Sequence, residues 1–406
     1  VVLLNVGGVI DTKFLRSTPG IDAVLLMSQP GCAAGYALAD VLTGKVTPSG
    51  RLTATWAENY ADYPEATGFS YLSGNLDDAY YKEGIYVGYR YFDSFGIRPA
   101  YPFGFGRSYT TFALTTEGVE IRDETIRVKV TVQNTGDQYA GRETVQVYLS
   151  QPQGKLDKPY QVLTGFAKTG LLAPGQAETV EISFSLRAVA SYDEERAAWV
   201  LEEGLYPLRV GSHSRDTHIA AVLQLDETVL TQQLENRLRP DVPLEVLHAS
   251  PEHFYTYPAE AQEMQAAPRL EIIPTSLPTR TVSYAQPPQE LHTQCQQTVT
   301  VEDVLAGRTS LEDLTAQLTA QELADLVIGA ARGGLGGGSV IGAASTACPG
   351  AAGDTTSSLL ESRGVRNLVL SDGPAGLRLS KSFVADSQNN IIPGLGDAGD
   401  RIFGTK

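Results

Sequence analysis

The run Arg127-Val-Lys-Val-Thr-Val-Gln133, the turn Asn134-Thr-Gly-Asp137 and the return run Glu143-Thr-Val-Gln-Val-Tyr-Leu149 decide the fold of the middle of this chain. Apolar residues at every second position put one face of an extended strand on a core and the other in water. Asn, Thr, Gly and Asp between the two runs are residue types that turn a backbone. The same period of two continues in Val162 to Phe166, Glu178 to Phe184 and Leu205 to Val210, with Pro174-Gly175 and Glu203-Gly204 between them. Short strands with regular turn signals over roughly a hundred residues predict a two-sheet β-sandwich, placed over residues 112–225.

Upstream the pattern is different. Val1-Val-Leu-Leu-Asn-Val-Gly-Gly-Val-Ile10 is an apolar run of the kind found in strands buried on both faces. Ala23 to Met27 reads as a second such strand, Cys32 to Leu42 as a helix capped by Gly44, and Arg51 to Trp56, after Pro48-Ser49-Gly50, as a third strand. Strand, helix, strand predicts part of a doubly wound α/β sheet over residues 1–79. The opening at Val1, without an initiator Met, suggests a start inside a domain. Residues 80–111 are rich in Tyr, Phe, Gly and Pro and read as a connector wedged between two domains.

Beyond the sandwich, residues 226–309 carry Pro, Gln and Glu with weak periodicity, which predicts a linker running over surfaces. Order returns over residues 310–406. Ser310-Leu-Glu-Asp-Leu is followed by a helix from Thr319 to Ile328, whose Thr319 and Glu322 have capping-box spacing. Gly333 to Gly338 is a Gly-rich loop, and Asn367 to Leu370 is a strand leading into Ser371-Asp372-Gly373-Pro374.

The chain has 406 residues, 42 % hydrophobic, too many for one ordinary core. Its 31 Lys plus Arg against 47 Asp plus Glu leave a net charge of -16, the wrong sign for a phosphate-backbone binder. No apolar run reaches the roughly 18 residues of a membrane span. A soluble protein is expected, with the cytoplasm slightly favoured. Cys32, Cys295 and Cys348 are odd in number and far apart, which argues against a disulfide framework.

Three motifs, in order, resemble glycoside hydrolase family 3, the β-glucosidase family. They are Ala37-Leu-Ala-Asp-Val-Leu-Thr-Gly-Lys-Val-Thr-Pro-Ser-Gly-Arg-Leu52, Glu83-Gly-Ile-Tyr-Val-Gly-Tyr-Arg-Tyr-Phe-Asp93, and Tyr101-Pro-Phe-Gly-Phe-Gly-Arg-Ser-Tyr-Thr-Thr-Phe112. In that family such motifs end the α/β sandwich domain and lead into a fibronectin type III-like domain. A fourth, Leu370-Ser-Asp-Gly-Pro-Ala-Gly-Leu-Arg378, is similar to a segment near the start of the family's catalytic (β/α)8 barrel. The resemblance implies a multi-domain fragment in rearranged order: a partial α/β sandwich domain, a fibronectin type III-like β-sandwich, and the start of a (β/α)8 barrel. It implies retaining hydrolysis of β-glucosides, with β-xylosides as second choice, and no metal or organic cofactor.

Such hydrolysis needs two carboxylates about 5 Å apart. By the order of motifs, the acid/base Glu is expected before Val1 and the nucleophilic Asp after Lys406, so the chain alone is expected to be inactive. The resemblance makes Asp372 a sugar ligand of the subsite at the scissile bond; the alternative is an Asp that caps its own turn. Cys32, at a helix start, is a thiol-nucleophile candidate read instead as a small buried packing residue. His213 and His218 lack zinc-ligand spacing and read as surface residues. Tyr80 to Phe92 could stack sugars but reads as domain-junction packing, with Glu83, Arg90 and Asp93 in structural ion pairs. The Gly333 to Gly338 loop lacks a phosphate-binding signature. Expected partners are a β-linked glycoside and, through the incomplete end domains, a second copy or a missing domain, with no nucleic acid and no membrane. A second reading is a non-catalytic carbohydrate-binding or scaffolding protein.

Overall fold

The computed structural model describes residues 1–68, 74–75, 77–237, 242–284, 290–328, 353–355, 359–371 and 391–393. The chain divides into two compact units, Val1–Ser283 and Tyr284–Lys406.

The first unit opens with strand β1 (Val2–Leu4), helix α1 (Lys13–Ser17), strand β2 (Val24–Leu26) and helix α2 (Ala34–Leu42). β1 and β2 pair in parallel, Leu3 opposite Leu25, as the apolar runs predict. α2 ends at Gly44, whose φ of +76° is the left-handed conformation a glycine cap supplies. The third strand is a correction. Instead of extending the parallel sheet, the segment from Arg51 forms a short strand β3 (Trp56–Ala57) antiparallel to the connector. Leu52 exchanges backbone hydrogen bonds with Phe105 and Gly104, both 2.8 Å. The cause is the aromatic connector itself. Its Tyr101 meets Trp56 edge to face at 6.4 Å, and Leu4, Leu15 and Trp56 form a small core beneath.

The connector contains helix α3 (Tyr89–Ser94) and strand β4 (Pro99–Tyr101), the partner of β3. Tyr86 and Phe92 are almost wholly buried, and Tyr89 stacks on Phe103 at 4.8 Å. Tyr80 and Tyr81 stay exposed. The run is therefore packing for most of its length.

Strands β5 (Phe112–Arg122), β6 (Thr125–Asn134), β7 (Thr144–Leu149), β8 (Val162–Lys168) and β9 (Ala177–Ser185) begin the sandwich, followed by β10 (Ser191–Asp193), β11 (Ala198–Leu201), β12 (Gly204–His213) and β13 (Asp216–Leu225). Sheets β5-β6-β9 and β13-β12-β7-β8 enclose a core in which Val128, Val130 and Val132 of β6 join Val145, Val147 and Leu149 of β7 and Leu208 of β12. β6 alternates between buried and more open positions as its sequence predicts. β7 does not: all six of its residues are buried, Gln146 and Tyr148 included. The connector covers the face that alternation would leave wet. Tyr89 packs edge to face on Tyr148 at 5.8 Å, and Gln146 Nε2 donates to the Gly104 carbonyl at 3.3 Å. A Cβ at Gly104 would stand 2.3 Å from the Gln146 amide oxygen, so only glycine fits there.

The expected linker over residues 226–309 is corrected in its first part. It supplies β14 (Val229–Gln233), helix α4 (Glu260–Ala266), β15 (Arg269–Glu271) and β16 (Arg280–Thr281). β15 adds in parallel to β13, and β16 adds in parallel to β14 in a sheet ordered β10-β11-β14-β16. Ile272 and Leu277 enter the main core. A strap held by edge hydrogen bonds and two or three apolar anchors needs no sustained alternation, which is why its period is weak.

The second unit, taken by itself, has helices α5 (Val301–Leu305), α6 (Leu311–Ala316) and α7 (Ala320–Ile328), strand β17 (Gly353–Asp354), helix α8 (Leu360–Arg363), and strands β18 (Val369–Ser371) and β19 (Ile391–Pro393). The capping box before α7 forms as read: Thr319 N–H donates to Glu322 at 2.7 Å and Glu322 N–H to Thr319 Oγ1 at 3.2 Å. α5 and α6 carry the same device at Thr300 and Ser310. β18 pairs in parallel with β19 and antiparallel with β17. No described helix is long and apolar enough to cross a membrane.

Since Ile272 is fully buried in the sandwich core, Ile272→Ala should destabilise the first unit by about 2–5 kcal/mol. Urea unfolding followed by circular dichroism measures this; a loss under about 0.5 kcal/mol, the range of ordinary surface changes, would return the strap to the status of a linker.

Candidate functional site

A buried charge needs an opposite charge and hydrogen bonds, so buried ionisable groups are where a fold concentrates its polar chemistry. Asp93, at the end of α3, is 1 % exposed. Its carboxylate accepts from Arg215 Nε at 2.5 Å and from Gln161 Nε2 at 3.1 Å. Burial pushes its pKa up to about 6, more than Arg215 and Gln161 pull it down. Arg215, in the β12–β13 turn, also donates from Nη2 to the carbonyls of Phe92 and Ile97 at 3.0 and 2.8 Å, and its guanidinium lies 4.1 Å from the Tyr255 ring centroid. One arginine thus ties the connector to the strap across the sandwich.

A second arginine, Arg209 of β12, lies beside the first. Its Nε donates to Ser150 Oγ at 2.9 Å, its Nη2 pairs with Glu260 of α4, and it stacks over Tyr160 at 4.7 Å. Tyr160 donates to Glu260 at 2.7 Å. Burial and the Glu260 charge raise the Tyr160 pKa, so its hydroxyl stays protonated. Gln161 Oε1, Ser214 Oγ and Arg209 Nη1 are buried without a partner in this network. Two further buried pairs are Arg51 with Glu143 and Lys158 with Glu202. Every cation here meets its anion across 44 to 122 residues of sequence. No local motif could have revealed Arg209, Arg215 or Glu260.

The residues singled out in the sequence are dispersed. Asp372 and the Gly333 to Gly338 loop lie outside the described residues. Asp93 is in an ion pair, with Arg215 rather than a neighbour; Glu83 and Arg90 have none within 4.0 Å among the described residues. Cys32, just before α2, is exposed, not buried. His218 is on the surface, 2.8 Å from Glu263. His213 is corrected to half-buried: its ring packs on Phe105 at 5.5 Å, and burial lowers its pKa. Among the described residues no three His, Cys, Asp or Glu side chains converge as a metal would require.

Residues 1–89 match the glycosyl hydrolase family 3 C-terminal domain, and residues 143–214 match a fibronectin type III-like domain. The chain is similar to β-glucosidase A of Butyrivibrio fibrisolvens, 35 % identical over 94 % of this chain and 47 % of that protein. A β-glucosidase of Ruminococcus albus is 35 % identical over 96 % of this chain and 39 % of that protein. The chain therefore spans less than half the length of either. The crystal structure of a β-glucosidase from Paenibacillus barengoltzii superposes with a TM-score of 0.64 at 32 % identity, covering 94 % of this chain and 41 % of that one.

The Asp93–Arg215 pair generates two expectations. Arg215→Met leaves a buried carboxylate unpaired and should cost about 3–5 kcal/mol in urea unfolding. The second concerns pH. With a folded pKa of about 6 against roughly 3.9 unfolded, the native state binds the extra proton. The stabilisation from Asp93 is then fully present below about pH 4 and lost as pH rises through about 6. The unfolding free energy of the wild type minus that of Asp93→Asn should accordingly fall by about 1–3 kcal/mol between pH 4 and pH 7. A flat difference would mean that Arg215 keeps Asp93 ionised throughout.

Proposed function

We propose that this chain, which belongs to glycoside hydrolase family 3, is part of a retaining β-glucosidase in which the sandwich and fibronectin-like domains precede the catalytic barrel. The observation that carries this reading is the pair of single alignments to β-glucosidases running through 94 % and 96 % of the chain. An alignment that long supports the same order of parts in both proteins. Residues 1–79 are then the α/β sandwich portion, 80–111 the connector, 112–225 the fibronectin-like domain with the strap following it, and 310–406 the first part of the barrel. The parallel pairing of β18 with β19 supports the last assignment, since barrels are built from parallel strands.

Retention needs one carboxylate free to attack and another free to exchange a proton. The buried carboxylates described here are each tied to a cation: Asp93 to Arg215, Glu143 to Arg51, Asp193 to Arg196, and Glu202 to Lys158. Such pairs suit load-carrying structure rather than turnover. In this reading the nucleophile and acid/base belong to other parts of the enzyme, which would leave the chain alone inactive.

Asp372 is its contribution to the sugar site. It follows Ser371, the last residue of β18, and strand C-terminal ends are where barrels place their ligands. A carboxylate there can accept from two neighbouring sugar hydroxyls and hold the ring over the nucleophile as it flattens. The substrate class is β-glucosides, with β-xylosides second.

In the full-length parent, Asp372→Ala should lower kcat/KM on an aryl β-glucoside by at least about a hundredfold, the worth of two charged hydrogen bonds. A loss under about tenfold would leave Asp372 as a turn residue. The isolated chain should show no hydrolysis above background; turnover proportional to its concentration after rigorous purification would overturn the placement of the catalytic carboxylates outside it.

A further inference from the structure

One cross-strand row in the first unit has no part in the clamp network. Tyr192 of β10 stands opposite Trp199 of β11, Trp199 opposite Gln232 of β14, and Gln232 opposite Arg280 of β16. Residues directly opposite in register share a face, so these four side chains line one side of the four-stranded sheet. The other side belongs to the core, where Ala198, Val200 and Val229 are buried. Neighbouring strands are about 4.8 Å apart, so the row spans roughly 14 Å.

Its chemistry is unusual for a sheet surface. Trp199 is 39 % exposed, whereas the chain's other tryptophan, Trp56, is 5 % exposed. Tyr192 lies 5.4 Å from it with the rings tilted by 56°, so the two form a shallow corner rather than one flat plate. That corner is fixed in place. Tyr192 donates its hydroxyl to Asn236, and the Asn236 amide donates to the Glu194 carbonyl at 2.6 Å. Below, Thr231 donates to the Trp199 carbonyl at 3.0 Å, where a bulge separates Trp199 from Val200. Gln232 and Arg280 supply hydrogen-bond donors along the rest of the row.

The cations around the row are each matched. Arg280 pairs with Glu124 at 3.1 Å, Arg196 with Asp193 at 3.5 Å, and Lys155 with Asp193 and Glu195. A neutral site with one apolar corner and a line of donors fits a neutral ligand that has apolar faces and many hydroxyls.

We infer that the Tyr192–Trp199–Gln232–Arg280 row is a binding surface for a linear, uncharged oligosaccharide of pyranose units, separate from the catalytic machinery. One sugar ring stacks on Trp199 with Tyr192 as its wall. The following units run along Gln232 and Arg280, a span that takes two to three rings. The inference does not depend on where hydrolysis occurs, and its test reads binding only.

The chain is titrated with cellohexaose and with laminarihexaose, following tryptophan emission and heat. Trp199 is the exposed fluorophore, so binding should give a saturable change with at least one of the two. Trp199→Ala should weaken that binding at least about tenfold, Trp199→Phe should retain it within a few fold, and Gln232→Ala should weaken it several fold. Circular dichroism melts confirm that each variant is folded; should Trp199→Ala fail to fold, Trp199→Phe and Gln232→Ala carry the comparison. Absence of saturable binding by either sugar, or unchanged affinity in Trp199→Ala or Gln232→Ala, would each overturn the assignment.

Discussion

β7 is buried at every position from Thr144 to Leu149, and most of the first unit follows from that one constraint. A strand of an antiparallel sandwich ordinarily offers one face to water. Here the second face carries Gln146 and Tyr148, polar enough to need partners and large enough to need a lid. The aromatic connector supplies both, with Tyr89 on Tyr148 and the Gly104 carbonyl on Gln146. Once the connector lies there it must cross the end of β12 and β13, and Asp93 is carried into the interior.

An aspartate in that position is costly unless it is paired. Arg215 answers it, and its remaining donors go to the connector carbonyls of Phe92 and Ile97. The strap closes the arrangement from the other side: Tyr255 N–H donates to the Asp93 carbonyl at 2.7 Å, and Tyr255 itself lies under the Arg215 guanidinium. Connector, sandwich and strap are thus joined at one buried ion pair. This explains why the first unit runs to Ser283 rather than ending with the last alternating strand.

The sandwich was legible because alternation is a local property. Arg127 to Gln133 and Glu178 to Phe184 each state which face is inside, and the structure pairs them directly, Val130 opposite Val180. The parallel strands β1 and β2 were legible for the same reason. The strap was not, because β15 and β16 are edge additions of two or three residues whose hydrogen bonds are made by backbone and leave no side-chain pattern. The third strand near Trp56 was misplaced because an apolar run does not say which sheet it joins, and a tyrosine 45 positions later decided it. Of the candidate side chains, Asp93 is legible as structural from the aromatic run around it, but its partner Arg215 is 122 residues away. The family motifs located the aromatic connector; they said nothing about what it would be clamped to.

The strap also links the clamp to the outer surface. Arg187 donates to the Thr231 and Pro278 carbonyls, both at 2.7 Å, holding β14 and the approach to β16 together. Glu124, from the turn joining β5 to β6, receives both Arg187 and Arg280. The residues that complete the aromatic row, Gln232 and Arg280, are therefore placed by the same segment that seals Asp93 with Tyr255. Loosening the strap at its buried anchors, Ile272 and Leu277, would disturb the clamp inside and the row outside together. Substitutions confined to Trp199 or Tyr192, which lie on the sandwich's own strands, would touch only the surface. Stability and sugar binding are then separable on one side of the row and coupled on the other.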